Sequence, residues 1–331
     1  MMRYRLLGRT GLRVSELFLG AMTYRQVTPE ARRVFDLYEE SGGNVVDTAS
    51  MYGDSENVVG ELLEGRRDRF VLATKYTPTR DRTDLNAAGN HRKNLVLSLE
   101  QSLRRLRTDY LDLLWVHVWD RHTPVEETMR ALDDVVRSGK VLYVGISDAP
   151  AWVVSRANTL AEWRGWTPFA GLQVPYSLLQ RDVERELLPM ARALGVSVAA
   201  WGVLARGVLS GRYAEPGAAA SRVSPESIGE RDRAAVRAVL DVAAELGVTA
   251  SQVALAWALR RGVHPILGTS GAEQLKDNLG ASAVARALPE EAIHRLESAV
   301  TFELGFPGDF VGEVDRSPDI YGDALPYLDG R

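Results

Sequence analysis

The sequence predicts an α/β fold, a closed (β/α)8 TIM barrel that spans residues 1–331 as a single domain. Eight short apolar segments recur along the chain, and a stretch with helical spacing separates each of them from the next. No linker rich in Pro, Gly or Ser divides the chain. Because helices connect the strands, neighbouring strands are expected to run parallel, and eight are enough to close a barrel.

Short apolar runs give the eight barrel strands, and a β-hairpin at residues 4–6 and 12–14 is expected to cap the barrel. The expected barrel strands are residues 17–22, 44–47, 70–75, 112–117, 141–147, 171–174, 196–201 and 264–268. Their length of four to seven residues suits strands that are buried on both faces of a parallel sheet.

Helices follow from the 3.6-residue period and from residues that start or stop a helix. Thr28 suits the N-cap of the first helix and Pro29 its first helical position, whereas Gly139 and Gly195 are expected to end two later helices. The expected helices are residues 28–41, 55–64, 91–107, 123–138, 151–163, 182–194, 232–246, 250–260, 274–279 and 290–300. The residues expected to face inward in two of them are Val96, Leu99, Leu103 and Leu106, then Met129, Leu132 and Val136.

Three long segments without a clear period remain, at residues 76–90, 211–230 and 301–331. The first two leave the carboxyl ends of strands, the face on which barrel enzymes carry their catalytic loops, and segments of this length are more often lids or binding loops than fillers. A doubly wound open sheet is the alternative fold. It is disfavoured because the turn after the first barrel strand reads TYRQV and lacks the G-x-G-x-x-G dinucleotide fingerprint.

Composition excludes several classes of protein. The chain is 45% hydrophobic and 25% charged, which is typical of a globular protein with a sizeable core. A formal net charge of -4 and the lack of basic runs argue against nucleic acid or anionic lipid as partners. The absence of cysteine excludes thiolate chemistry, and no apolar stretch approaches the roughly 18 residues of a membrane span. We therefore expect a cytoplasmic protein.

Polar side chains stand at or just after the predicted strand ends. They are Asp47 with Tyr52, Lys75, His117, Ser147 with Asp148, Gln173, Trp201, and the turn Gly268-Thr269-Ser270. Each alone has a structural explanation as a helix cap, a rim residue or a core residue. Their recurrence on successive strands favours a catalytic mouth, because the carboxyl ends of barrel strands converge on one face.

These residue types suit proton transfer rather than metal or serine chemistry. The five histidines form no H-x-H or H-E-x-x-H pair, and no G-x-S-x-G turn occurs. A tyrosine titrates near 10, and lowering that pKa by two to three units corresponds to about 3 to 4 kcal/mol. An ammonium about 4 Å away contributes about 4 kcal/mol at an effective dielectric of 20. Lys75 is therefore expected to lower the pKa of Tyr52, while Asp47 keeps Lys75 charged and His117 binds a carbonyl oxygen.

Eight segments of the chain resemble blocks of the aldo-keto reductases, in the same order. They are YRLLGRTGLRVSELFLGAMT, NVVDTASMYGDSENVVGELL, FVLATK, YLDLLWVHVWD, GISD, LQVPYSLLQR, AAWGVLARGVLSGRY and ILGTSGAEQLKDNLGA. The resemblance covers essentially the whole chain and is greatest to bacterial NADPH-dependent reductases and to potassium-channel β subunits. It implies hydride transfer from C4 of NADPH to an aldehyde or ketone, with Tyr52 as proton donor.

The resemblance also implies roles for individual residues. The implied catalytic tetrad is Asp47, Tyr52, Lys75 and His117. The implied nicotinamide contacts are Ser147, Asp148, Gln173 and Trp201. The pyrophosphate contacts are Gly202, Val203, Leu204, Gly207, Leu209 and Arg212, and the contacts to the adenosine and its 2'-phosphate are Arg222, Gly268, Ser270, Gln274, Asp277 and Asn278.

The sequence departs from the family pattern at two places. Asp148 stands where relatives commonly have Asn, and an ionised Asp accepts a hydrogen bond from a carboxamide but cannot donate one. Many relatives also have a basic residue where Ser270 or Gln274 stands, and only Lys276 lies nearby. The resemblance implies NADPH as the cofactor, and the lack of a basic residue at these two positions makes NADH possible as well. The loop after the first barrel strand is short, which would open the pocket.

A different class of function is an NADP-binding accessory or sensor subunit with little turnover, by analogy with the channel β subunits. For an enzyme, the expected partner is a small apolar or aromatic carbonyl compound. The candidate pocket walls are Tyr24, Trp119, Phe306, Phe310 and Tyr321, although core packing explains such residues equally well. The sequence does not specify the physiological substrate or the oligomeric state.

Overall fold

A computed structural model describes residues 2–212, 228–315, 317–324 and 327. Within them β1 (Tyr4–Leu6) and β2 (Arg13–Ser15) form the predicted antiparallel hairpin. Eight parallel strands then close into a barrel, which confirms the (β/α)8 prediction. They are β3 (Phe18–Gly20), β4 (Val45–Asp47), β5 (Val71–Tyr76), β6 (Leu111–Val116), β7 (Val141–Ser147), β8 (Phe169–Pro175), β9 (Ser197–Trp201) and β10 (His264–Gly268).

The hairpin lies across the amino-terminal ends of β9 and β10. The Gly8 N–H donates to Ser197 Oγ at 2.7 Å, and the Arg5 guanidinium donates to the carbonyl of Val263 at 3.3 Å. Leu7 and Val14 pack against the lower interior of the barrel. The hairpin therefore closes the end of the barrel that lies opposite the strand carboxyl ends.

Helices surround the barrel. They are α1 (Pro29–Glu40), α2 (Ser55–Leu62), α3 (Arg92–Leu106), α4 (Val125–Arg137), α5 (Ala151–Arg164), α6 (Leu187–Leu194), α7 (Glu230–Leu246), α8 (Ala250–Arg260), α9 (Ala272–Leu279), α10 (Ala281–Ala287), α11 (Glu290–Ser298), α12 (Gly308–Val314) and α13 (Pro318–Tyr321). The Thr28 side chain accepts a hydrogen bond from the Ala31 N–H, which confirms the predicted N-cap. Gly195 ends α6 in the left-handed conformation, also as predicted.

The structure corrects three predictions about helices. Leu95, and not Val96, faces the core from α3, because the two residues fit the apolar spacing almost equally and the structure buries the larger side chain. The helix predicted at residues 182–194 is a 3-10 turn followed by α6, since Pro189 has no N–H to continue a helix from Arg185. The tail from residue 301 was predicted to be irregular, yet it contains α12 and α13.

Trp115 fills the interior of the barrel between two glycines. A Cβ on Gly145 would lie 2.4 Å from the Trp115 ring, and a Cβ on Gly171 would lie 2.7 Å from it. Trp115 itself is 1% exposed. The two glycines on β7 and β8 therefore make room for one large side chain, as close packing of a barrel interior requires.

Among the described residues, no single helix is long and apolar enough to cross a membrane. Only α7 and α8 taken together reach that length, and they are bent by 98° where they meet.

Candidate active site

The carboxyl ends of the barrel strands bring the predicted polar residues to one rim. Asp47 is the last residue of β4 and pairs in register with Gly20 of β3. Ser147 at the end of β7 pairs with Gln173, and Trp201 at the end of β9 pairs with Pro175. Residues far apart in the sequence thus meet because parallel strands end on the same face.

Asp47 and Lys75 form a buried ion pair. The Lys75 Nζ donates to Asp47 Oδ2 at 2.5 Å and to the carbonyl of Thr48 at 2.8 Å, and the two residues are only 1% and 4% exposed. Gln173 Nε2 donates to the second carboxylate oxygen of Asp47 at 3.1 Å. Both carboxylate oxygens are therefore hydrogen-bonded, which a buried charge requires.

Hydrogen bonds hold the loop that carries Tyr52 above this ion pair. Ser55, the first residue of α2, donates to the carbonyl of Ala21 at 2.6 Å and hydrogen-bonds the hydroxyl of Thr48 at 2.7 Å. Arg25 donates to the carbonyl of Tyr52 at 2.8 Å. The Lys75 Nζ lies 5.1 Å from the centre of the Tyr52 ring.

The pKa of Tyr52 differs from the sequence-based prediction. Burial raises it, the Lys75 ammonium lowers it, and the nearby Asp47 carboxylate raises it again, so that the pKa lies above the ordinary value. The predicted lowering by Lys75 is present, but burial of the phenol outweighs it. The phenol therefore stays protonated at neutral pH and holds a proton that it can donate.

His117 lies beside Tyr52, with ring centres 5.8 Å apart and ring planes at 85°. Burial and the Lys75 ammonium lower the pKa of His117 to about 3, so the imidazole is neutral at physiological pH. Its Nδ1 is buried and has no hydrogen-bond partner among the described residues. A neutral imidazole carries one N–H that can donate to an oxygen in the mouth.

Asp148 and Trp201 form the next part of the rim. Asp148 has a left-handed backbone conformation with φ of +47°, and its N–H donates to the carbonyl of Gln173 at 3.2 Å. Trp201 Nε1 donates to Asp148 Oδ1 at 3.4 Å, and Trp201 is 41% exposed. Burial raises the pKa of Asp148. The rim thus presents an indole beside a partly desolvated carboxyl group.

The segment after β9 turns sharply along the rim. Gly202 has φ of +70°, and left-handed conformations recur at Ala205, Arg206 and Gly207 within the 3-10 turn Ala205–Ser210. Arg212 lies at the end of this turn and is exposed. Val203 and Leu209 are buried and hold the turn against the core, while Leu204 packs partly against it. Arg222 lies outside the described residues.

The turn after β10 holds two of the predicted adenosine contacts against each other. Gln274 Oε1 accepts from the backbone N–H and the hydroxyl of Ser270, at 2.9 Å and 3.0 Å. The Asp277 carboxylate accepts from Thr249 and Gln252 and so joins α9 to the start of α8. Asn278 is buried, and its Nδ2 has no partner in the described part of the chain. Gly268 ends β10 and is exposed.

The residues predicted to line the substrate pocket form two groups, one in the barrel (Trp119 and Tyr24) and one in the tail (Phe306, Phe310 and Tyr321). Trp119 is half-buried near the rim, where its backbone N–H donates to the carbonyl of Asp148 at 3.4 Å. Tyr24 is buried and packs edge-on against Phe35 of α1. Phe306 and Phe310 lie in the tail and contact each other, with ring centres 6.2 Å apart. The exposed residues Phe306, Phe310 and Tyr321 all belong to the tail.

Three residues near the rim are not among the predicted site residues. Trp152 packs edge-on against Trp119 at 5.4 Å and is 56% exposed. Thr48 accepts from Lys75 through its carbonyl, and Arg25 holds the backbone of Tyr52. A carbonyl contact leaves no signal in a sequence. Trp152 could have been predicted as a site residue, because a large aromatic side chain at the second position of a helix that follows a rim strand is unusual.

A comparison with sequence models of protein families shows to which family this chain belongs. The family model described as the aldo/keto reductase family matches residues 16–301 of the chain. The chain belongs to the aldo/keto reductase family. It is accordingly an oxidoreductase enzyme, and a closed barrel with polar residues at the strand carboxyl ends is its scaffold.

Curated relatives agree with this assignment. A norsolorinic acid reductase of Aspergillus flavus is 40% identical over 327 residues, which cover 92% of this chain and 82% of the relative. A putative aryl-alcohol dehydrogenase of Saccharomyces cerevisiae is 36% identical over 341 residues, with coverages of 94% and 90%. An aldo-keto reductase of Aspergillus calidoustus is 38% identical, with coverages of 98% and 88%. These three relatives are fungal, whereas the sequence resemblance pointed to bacterial reductases.

Aldo/keto reductases use nicotinamide cofactors, and the rim suits a planar ring that bears an amide. Trp201 offers a partly exposed aromatic face for that ring. Asn278, which the resemblance assigns to the adenosine end, carries a buried amide N–H without a partner among the described residues. In the described part of the chain, no group of three His, Asp or Glu side chains is placed to hold a metal ion.

Proposed function

We propose that this aldo/keto reductase reduces an aldehyde or ketone to an alcohol with NADPH, using Tyr52 as the general acid. The observation that supports it most directly is the placement of the Tyr52 phenol between the neutral His117 imidazole and the buried Lys75–Asp47 ion pair. Such a group of side chains is suited to giving one proton to a developing alkoxide.

Each side chain of the proposed site has its own role in the reaction. Bound nicotinamide supplies the hydride, which goes to the carbonyl carbon of the substrate. Tyr52 donates its phenolic proton to the carbonyl oxygen, and His117 donates a hydrogen bond to the same oxygen as negative charge develops there. Lys75 then stabilises the phenolate left on Tyr52, and Asp47 keeps Lys75 positively charged inside the barrel.

Several rim residues would hold the cofactor. The partly exposed indole of Trp201 would stack on the nicotinamide, with Ser147 and Asp148 near its carboxamide. Gln173 is less available than the resemblance implies, because its amide already donates to Asp47. Arg212 would contact the pyrophosphate, and the turn at Ser270 with Asn278 would bind the adenosine end. NADPH is preferred over NADH in this proposal.

The proposed substrate class is an aryl aldehyde or aryl ketone. The relatives include proteins named for norsolorinic acid and for aryl alcohols. Trp119 and Trp152 pack edge-on at 5.4 Å beside the rim, and the exposed face of Trp152 is available for a further aromatic ring. Aromatic rings that meet edge-to-face or offset contribute about 0.5–1.5 kcal/mol per pair beyond the area they bury.

An assay of NADPH oxidation with 4-nitrobenzaldehyde tests this function. Oxidation that depends on the aldehyde and forms the corresponding alcohol is the expected result. A panel of aryl and aliphatic aldehydes tests the substrate class at the same time. If neither class is turned over faster than by a Tyr52→Phe variant, the proposed function is wrong.

Removing the exposed indole should affect aryl substrates selectively. We expect Trp152→Ala to raise KM for aryl aldehydes about 2- to 10-fold, the equivalent of one aromatic contact, and to leave KM for a short aliphatic aldehyde unchanged. Trp163→Ala is the matched control, because Trp163 lies on the same helix and is 82% exposed. Equal effects of the two variants would contradict a role for Trp152 in substrate binding.

The pH dependence follows from the two titrating rings. Because the pKa of His117 is about 3 and that of Tyr52 is raised, both keep their working protonation state as pH falls from about 8 to about 5. We expect kcat/KM for reduction to stay level over that range, without the decrease near 6.5 that an ordinary histidine would cause. A decrease centred near 6.5 that disappears in His117→Gln would show that His117 titrates normally.

A further inference from the structure

The loop after β5 is tied to the backbone around His117 by one buried amide. Asn90 is 2% exposed, and its side chain makes two hydrogen bonds in opposite directions. Its Oδ1 accepts from the Thr77 hydroxyl at 2.8 Å, and its Nδ2 donates to the carbonyl of Val118 at 3.1 Å.

These two hydrogen bonds both lead to the backbone at His117. The His117 backbone N–H donates to the carbonyl of Tyr76 at 3.0 Å and also to the oxygen of that same Thr77 hydroxyl at 3.2 Å, and Val118 is the residue directly after His117. One end of the Asn90 amide therefore reaches His117 through Thr77, and the other end holds the next peptide. The Asn90 backbone N–H also donates to Asp120 Oδ2 at 3.1 Å, so the loop is fastened to the β6 side at a further point.

Thr77 is held in an unfavourable conformation to make this contact. Its φ is +119°, which a β-branched residue adopts only when its surroundings impose it, and such strain is concentrated at functional sites. The Thr77 carbonyl accepts from the Gly89 N–H at 2.9 Å and from Asn94 Nδ2 at 3.3 Å. The loop thus stabilises a strained residue whose hydroxyl faces the His117 backbone.

No hydrogen bond from a described residue to Nδ1 orients the imidazole of His117. Its ring contact is with Tyr52. The position of the imidazole therefore depends on the backbone that carries it and on the packing of its ring against Tyr52. A displacement of about 1 Å of a group that orients a substrate can lower the rate about 100-fold.

We propose that Asn90 is a positioning residue that fixes the imidazole of His117 for the carbonyl oxygen, acting through Thr77 and Val118. The inference rests on the proposed reductase function of the same site. The simpler explanation is that Asn90 only stabilises the loop. The two explanations differ in one measurable respect, which is whether the effect of Asn90 on turnover depends on the presence of the His117 imidazole.

The first experiment is Asn90→Ala in the full-length enzyme. We expect kcat to fall about 10- to 100-fold, with an unchanged Kd for NADPH. Asn86→Ala, an exposed residue of the same loop, is the control and should retain wild-type kcat. Thermal unfolding of both variants identifies any general loss of structure. Wild-type kcat in a folded Asn90→Ala variant would overturn the proposal.

The second experiment places Asn90→Ala in a His117→Ala background. If Asn90 acts through His117, the added substitution should change kcat less than 2-fold, although it costs 10-fold or more in the wild type. Full additivity of the two effects would show that Asn90 does not act through the imidazole, and the proposal would be wrong.

Thr77 offers a test that does not depend on the stability of Asn90 variants. Thr77→Val removes the hydroxyl while keeping the shape, and Thr77→Ser keeps the hydroxyl. We expect Thr77→Val to lower kcat about as much as Asn90→Ala, and Thr77→Ser to stay within about 3-fold of the wild type. Equal kcat in the two Thr77 variants, high or low, would contradict the proposal. Tyr52→Phe, measured alongside, shows separately whether the proposed reaction occurs.

Discussion

Tyr52→Phe is expected to lower kcat for carbonyl reduction by about 10²- to 10⁴-fold, the range over which a general acid contributes. Phenylalanine keeps the ring that packs edge-on against His117 and lies near Lys75, and it removes only the proton that is transferred. The Kd for NADPH and the thermal stability should therefore stay close to those of the wild type. Cofactor fluorescence titration and stopped-flow turnover measure the two quantities.

A matched variant separates the proton from the ring. Tyr110→Phe removes a hydroxyl that donates to Asp68 Oδ1 at 3.2 Å, just before the amino end of β6 and away from the rim. It should cost far less activity than Tyr52→Phe. If Tyr52→Phe retains more than about a tenth of wild-type kcat, another group supplies the proton and the general acid has been misassigned.

Lys75→Met should have the second-largest effect, because it acts on stability and on turnover together. It leaves the Asp47 carboxylate buried, and among the described residues the Gln173 amide is then its side-chain hydrogen-bond partner. Removing one member of a buried ion pair costs about 3–5 kcal/mol. We expect that decrease in the free energy of unfolding, measured in urea, and a large loss of kcat because the Tyr52 phenolate is no longer stabilised.

Two comparisons sharpen this prediction. Lys140→Met breaks an ion pair with Glu100 that is partly exposed, and it should cost no more than about 1 kcal/mol. The double variant Lys75→Met/Asp47→Asn should recover part of the lost stability, since no unpaired charge is left inside the barrel, while turnover stays low. A double variant less stable than Lys75→Met would mean that the buried carboxylate is not the source of the loss.

The aldo/keto reductase scaffold explains why the two largest effects arise from neighbouring strands. Asp47 ends β4 and pairs in register with Ala73 of β5. Lys75 stands two residues after Ala73, so its side chain lies on the same face of β5 and reaches the Asp47 carboxylate. Tyr52 reaches them from the loop after β4, which Ser55 and Arg25 hold in place. The spacing of five residues between Asp47 and Tyr52 is thus the length of loop that lets Tyr52 reach the ion pair from the end of β4.

Local sequence patterns predicted the alternation of eight barrel strands with helices, the N-cap at Thr28 and the face on which the polar residues meet. These features follow from local periodicity, from capping chemistry and from the rule that parallel strands of a barrel end together. The sequence also indicated that Asp47, Lys75, Tyr52 and His117 belong to one site. Each of them stands at or shortly after the end of an apolar run, where the pattern changes from strand to loop.

The influence of these residues on one another depends on contacts between distant segments of the chain. Gln173 holds Asp47 across 126 residues, and Trp152 meets Trp119 across the rim, contacts that no local pattern encodes. The raised pKa of Tyr52 reflects the balance between burial and two opposite charges, which depends on distances and solvent access rather than on residue types. The physical reason is the same in each case. Local periodicity fixes which residues reach the mouth, and packing between distant segments fixes their environment there.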